Sequence, residues 1–156
     1  MVDKNDLKFL QRCVELAAEA VEAGDEPFGS VLVKDGQILA EDRNRTVTSG
    51  DPTHHPEFEL ARWAASNLTP EERAAATVYT SGEHCPMCSA AHGFVGLGRI
   101  VYASSSEQLA KWKKELDLEP SRVVIRPIQE VVPSIEVDGP VPEFAAQIRS
   151  LHQKAR

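Results

Sequence analysis

Residues 77–103 read Thr-Val-Tyr-Thr-Ser-Gly-Glu-His-Cys-Pro-Met-Cys-Ser-Ala-Ala-His-Gly-Phe-Val-Gly-Leu-Gly-Arg-Ile-Val-Tyr-Ala. Both ends, 77–80 and 99–103, are short runs of β-branched and aromatic residues that suit strands. Between them, residues 86–97 read as a helix rich in small side chains, with Gly98 closing it. Strand, helix and strand in succession point to an α/β fold. Downstream, residues 121–126 read as a further strand, and residues 104–120 are long enough for a crossover helix centred on 107–116. A crossover is what parallel neighbours need, so strands 99–103 and 121–126 are expected to run parallel. Residues 128–140, rich in Pro and Val, read as irregular, and residues 142–154 as a last helix.

Working back from residue 77, Pro56 opens a helical pattern through Leu60, Ala61, Ala64, Ala65 and Leu68 that ends near Pro70. Residues 46–53 form a polar loop. Before it, apolar runs at 29–33 and 38–43 flank Asp35-Gly36, a strong hairpin signal. Leu7, Leu10, Val14, Ala17 and Val21 form the stripe of an amphipathic first helix. Cys13 lies beside that stripe as a small packing residue, and Gly24-Asp25-Glu26-Pro27 breaks the helix.

The 156 residues fit one domain, 1–156, without internal repeats. No stretch reaches the roughly 20 apolar residues that span a bilayer, and the first residues lack the basic-then-apolar pattern of a secretory signal. A cytoplasmic protein without a membrane partner is expected. The formal charge of -7 opposes non-specific binding of nucleic acid. Three cysteines do not suit a disulfide framework.

Chemistry concentrates in His55-Pro56-Glu57 and Cys85-Pro86-Met87-Cys88. One imidazole and two thiolates suit zinc, and three protein ligands leave its fourth position open for water. Each Pro follows a ligand and fits the first helical position, where its missing N–H costs nothing. His55 and Cys85 are therefore expected at helix N-termini, whose partial positive charge favours the thiolate. Glu57, two residues from His55, is placed to exchange protons with a water at the metal rather than to bind it. A closed structural zinc site in an interaction domain is the competing reading. It needs a fourth ligand from His54, His84 or His92, and it leaves Glu57 without a purpose.

His-x-Glu followed by Cys-Pro-x-Cys resembles the signature of the cytidine deaminase superfamily. Pro27-Phe28-Gly29, Asp51-Pro52-Thr53, Tyr79-Thr80-Ser81 and Glu83 narrow the likeness to the bacterial guanine deaminase and nucleobase deaminase branch. The resemblance implies a three-layer α/β/α fold with a five-stranded mixed sheet whose strands 4 and 5 are parallel. It implies a Zn2+ cofactor on His55, Cys85 and Cys88, and Glu57 as proton shuttle. It also implies substrate contacts from Phe28, the backbone N–H of Ser30 and Asn44, and a homodimer. The expected substrate is a small heterocyclic base: guanine, cytosine, a related purine or pterin, or an amino-triazine. A transfer RNA adenosine deaminase is the alternative within enzymes. Residues 137–156, unlike the aromatic-containing tail of the guanine deaminases, are a candidate cap over the pocket. His84 replaces the Pro that commonly precedes the first metal Cys; it either lines the pocket mouth or fills that space.

Overall fold

The computed structural model describes residues 1–155; the last residue of the expected C-terminal cap lies outside the described residues. One five-stranded sheet, in the order β2-β1-β3-β4-β5, divides the chain into two helical layers. β1 (Gly29–Lys34) pairs antiparallel with both β2 (Gln37–Arg43) and β3 (Thr77–Gly82). β3, β4 (Ile100–Ser104) and β5 (Val137–Asp138) run parallel. The expected hairpin forms at Asp35-Gly36, whose φ values of 52° and 74° are those of a turn matched to strand twist.

The layers follow from the period of two along each strand. Val31, Val33, Tyr79, Val101 and Ala103 face α1 (Lys4–Glu22), Trp112 of α5 (Ser106–Glu115) and α7 (Ala145–Lys154). Cys13 is buried in that layer, as expected. Leu32 and Val78 face the opposite side, against Leu60, Ala61 and Ala64 of α2 (Pro56–Asn67). Ser30 and Thr80, two residues from Leu32 and Val78, share this second face. Gly29 lets α1 lie on β1, since a Cβ there would stand 2.4 Å from the Cys13 carbonyl oxygen.

Three expectations are corrected. Residues 121–126 form no strand: Val123 and Val124 are 57% and 71% exposed, with no neighbouring strand to cover them. The fifth strand is Val137–Asp138, inside the segment read as irregular, which also holds α6 (Ile128–Val131). Two residues are too few to show a hydrophobic period, and they are held by pairing with Ile100 and Val101 and by Arg99 bonding Asp138. Finally α4 (Pro86–Val95) is closed by Gly96 at φ 77°, ahead of Gly98. Gly98 is required for another reason: a Cβ there would lie 2.5 Å from the Ala74 carbonyl oxygen of α3 (Pro70–Ala75).

Candidate active site

The site forms where β3 ends and α2 and α4 begin. His55 caps α2 with Pro56 at the helix start, and Cys85 caps α4 with Pro86 in the same place. Neither cap uses its side chain on the helix, so the imidazole and thiol remain available. Cys88, one turn along α4, is fully buried. His55 Nδ1 lies 3.6 Å from Cys85 Sγ and 3.5 Å from Cys88 Sγ, and the three ligand atoms all fall within 4.8 Å of one another. Zn–S bonds of about 2.3 Å and a Zn–N bond of about 2.0–2.1 Å at tetrahedral angles give N···S edges of about 3.5 Å. The residues present therefore fit zinc in separation as well as in chemistry.

Among the side chains themselves, the negative charge of Cys85 and Glu57 holds protons on the neighbouring groups. Hydrogen bonds from Cys88 and His55 lower the Cys85 thiol to about 4, making it a ready thiolate. His55 is raised to about 9, first by its bond to Cys85 and then against the opposing effect of burial. Cys88 is pushed up by its bond to Cys85, by burial and by neighbouring Glu57. Glu57 is itself raised by burial, with only 6% exposure. Its Oε1 accepts hydrogen bonds from Thr80 Oγ1 at 2.8 Å and Ser30 Oγ at 3.1 Å.

Around this centre the expected substrate residues take distinct places. Asn44 is buried just beyond β2, and its Oδ1 accepts from the backbone N–H of Thr46 at 3.0 Å and from Thr46 Oγ1 at 2.9 Å. The backbone donor fixes the amide orientation, leaving the Nδ2 hydrogens uncommitted. The Phe28 ring lies where a Cβ on Gly82 would approach to 3.2 Å, and packs edge-on to His152 of α7 at 5.3 Å. Ser30 is wholly buried between Asp42 and Thr80, and its hydroxyl turns to Glu57.

None of the remaining histidines joins the metal group, which comprises His55, Cys85 and Cys88 alone among the described residues. His92 Nε2 bonds the Gly98 carbonyl at 2.7 Å, a packing role. His84 fills space rather than lining the pocket mouth: it is 1% exposed, edge-on to His92, with both ring nitrogens unpartnered. Burial and His92 hold its pKa far down, so the ring is neutral. Trp112 belongs to the core.

The sequence reading missed Thr80 and the Ser30 hydroxyl as partners of Glu57, and His152 behind Phe28. It also missed the role of Glu83, whose two oxygens accept from the backbone N–H of Ser106 and of Ile128, tying α5 and α6 to the end of β3. The signal for the first pair was present: Ser and Thr at inward positions of two central strands must find buried partners.

Residues 3–104 match the cytidine and deoxycytidylate deaminase zinc-binding region. The chain belongs to this family and is a zinc-binding hydrolytic deaminase with the cytidine deaminase-like fold. It is 42% identical to the guanine deaminase of Bacillus subtilis (strain 168) over 108 residues, 69% of each chain. It is 35% identical over 96 residues to the tRNA-specific adenosine deaminase of Agrobacterium fabrum, covering 62% of this chain and 63% of that one. The solved guanine deaminase from Nitrosomonas europaea superposes with a TM-score of 0.72 at 17% identity, covering 97% of this chain and 86% of that one.

Proposed function

We propose that this chain removes the exocyclic amine from a free amino-substituted heterocyclic base, with Glu57 as proton shuttle and His55, Cys85 and Cys88 as metal ligands. Guanine, cytosine, a related purine or pterin, and an amino-triazine are the candidate bases. The observation that carries the reading is a buried carboxylate, Glu57, beside a three-residue metal group that gains no fourth protein ligand among the described residues.

Zinc, when bound, supplies Lewis acidity that lowers the pKa of a water to about 7. Glu57 takes the proton as the water oxygen adds to the amine-bearing carbon, and passes it to the adjacent ring nitrogen. It then carries the second water proton to the amine, so the C–N bond breaks with ammonia leaving and a carbonyl remaining. Burial, which raises the Glu57 pKa, suits a group that must gain and release protons near neutral pH. Phe28 offers one face of the base an aromatic wall. The Asn44 amide offers donors, matching a ring nitrogen or carbonyl oxygen on the base.

The remaining parts of the reading have separate supports. The described part of the expected cap, residues 137–155, acts through His152, whose ring backs Phe28. Phe94 of α4, 93% exposed on a helix of the metal site, is a surface that a second copy would cover in a homodimer. Three free cysteines suit the reducing cytoplasm. No helix among the described residues is long and apolar enough to cross a membrane. A transfer RNA substrate is the second reading, favoured by the Agrobacterium fabrum relative and opposed by the charge of -7.

Glu57→Gln tests the reading. The variant keeps shape and hydrogen bonding but accepts no proton, so ammonia release should fall by at least about 10²–10⁴-fold while zinc content stays at the wild-type level. Undiminished turnover in Glu57→Gln sinks the shuttle.

A further inference from the structure

We propose that Ser30 and Thr80 are positioning residues for Glu57: their hydroxyls clamp Oε1 and leave Oε2 to face the reacting groups. This rests on Glu57 being the proton shuttle. Strand pairing places Ser30 directly opposite Thr80 across β1 and β3. The period of two then sends both side chains to the α2 face, where Glu57 stands in the first turn of α2. Both residues are wholly buried, so water does not compete for their hydroxyls.

The hydrogen-bond count makes the clamp specific. Two hydroxyls own two protons. Four contacts draw on them: Ser30 Oγ to Glu57 Oε1 at 3.1 Å, Ser30 Oγ to Thr80 Oγ1 at 2.9 Å, Thr80 Oγ1 to Glu57 Oε1 at 2.8 Å, and Thr80 Oγ1 to the Gly82 carbonyl at 2.9 Å. Bonds to a carboxylate are roughly twice as strong as neutral ones, so both protons turn to Oε1. Two donors converging on one oxygen define the rotation of the carboxyl group, which one donor would leave free. Thr80 contributes more, because its bond to Oε1 is the shorter of the two.

The test uses zinc-loaded protein, with guanine and cytosine as assayed bases. Thr80→Val should lower kcat by about 10–100-fold, within the range for a catalytic group displaced by about an ångström. Ser30→Ala should cost less, about 3–10-fold, since the shorter bond, that of Thr80, survives. KM and zinc content should stay near wild type in both, and Thr80→Ser, which keeps the hydroxyl, should restore most of kcat. A readout independent of activity is a double-mutant cycle on urea unfolding with Glu57→Gln. The shift in midpoint caused by Thr80→Val should shrink in the Glu57→Gln background, because a neutral amide oxygen gains less from the hydroxyl. An unchanged kcat in Thr80→Val, or an equal unfolding shift in both backgrounds, overturns the clamp. If wild type releases ammonia from neither base nor from the related purines, pterins and amino-triazines, or Glu57→Gln is fully active, the function reading falls instead, and the unfolding cycle still decides whether the hydroxyls act on Glu57.

Discussion

Asp6 and Glu57 are both buried carboxylates in the first turn of a helix, one at each end of the sheet, and their surroundings pull them in opposite directions. At the end where β4 and β5 begin, Arg99 forks onto Asp6 with bonds of 2.9 and 3.0 Å and onto Asp138 with 2.9 and 2.7 Å. Tyr79 donates to Asp6 at 2.6 Å, and the Met1 ammonium reaches Asp138 at 3.0 Å. Burial raises Asp6, but Arg99, Tyr79 and the Asp3 N–H outweigh it and hold the carboxyl at about 2. At the other end Glu57 has two hydroxyls and no guanidinium, so burial prevails and its pKa rises. The fold thus satisfies a carboxylate fully where it joins α1 to two parallel strands, and leaves one less satisfied beside the metal group, where we propose that protons move.

The comparison breaks most visibly at the metal ligands. Cys85→Ala or Cys88→Ala should lose most of the roughly one zinc per chain that a three-ligand site holds, and ammonia release with it. The Asp6 cluster lies at the far end of the sheet and should be untouched, so far-ultraviolet circular dichroism should still report the α/β fold. Full zinc retention in both variants rules out this ligand set.

A matched pair of neutral substitutions sharpens the contrast. Asp6→Asn removes one arm of a buried, charge-assisted network and should cost about 2 kcal/mol of unfolding free energy in urea. Glu57→Gln removes a carboxylate that burial already disfavours as an anion, and should cost under about 1 kcal/mol despite the lost activity. Equal losses would mean that both ends are built for stability. Acid titration supplies the pH form of the same prediction. A folded pKa depressed to about 2 means that Asp6 stabilises the fold above its unfolded pKa of about 3.9. That contribution, on the order of 2 kcal/mol, is lost as the pH falls from about 5 through 2. The Asp6→Asn variant should therefore show a flatter fall of stability over this window than wild type.

The same two ends explain what could be read from residues alone. His55, Glu57, Cys85 and Cys88 were legible because ligand chemistry is carried by residue type and short spacing, and each Pro marked its helix start. The longer helices α1, α2, α4, α5 and α7 and the hairpin were legible from period and turn residues, whereas the short α3 and α6 were not. Thr80 and Ser30 were not tied to Glu57, because strand parity reveals the shared face only after β1 and β3 are known to be neighbours. The fifth strand was misplaced because its two residues carry no period, while the exposed Val123-Val124-Ile125 run imitates one. Its true position depends on Arg99 meeting Asp138 across 39 residues, a pairing that sequence spacing cannot announce.

The smallest expected effect concerns salt, and it separates a free base from a nucleic acid. Glu57 and its partners lie within a buried network, where dissolved ions screen little. A neutral base makes no phosphate contacts, so ammonia release should change by less than about twofold between 50 and 500 mM salt. A substrate held through six to ten phosphates would instead lose about 10³–10⁵ in affinity between 50 and 200 mM. The charge of -7 already works against such contacts, and Arg43 is committed to Asp25 at 2.9 Å and Arg45 to Asp42 at 3.3 Å. Those pairs neutralise the two arginines flanking Asn44, the residue we propose contacts the base. A steep salt dependence accompanied by turnover of transfer RNA would show that these arginines leave their carboxylates to take up phosphate. The active-site end would then hold its charges in exchangeable pairs, in contrast to the closed Arg99 network at the far end of the sheet.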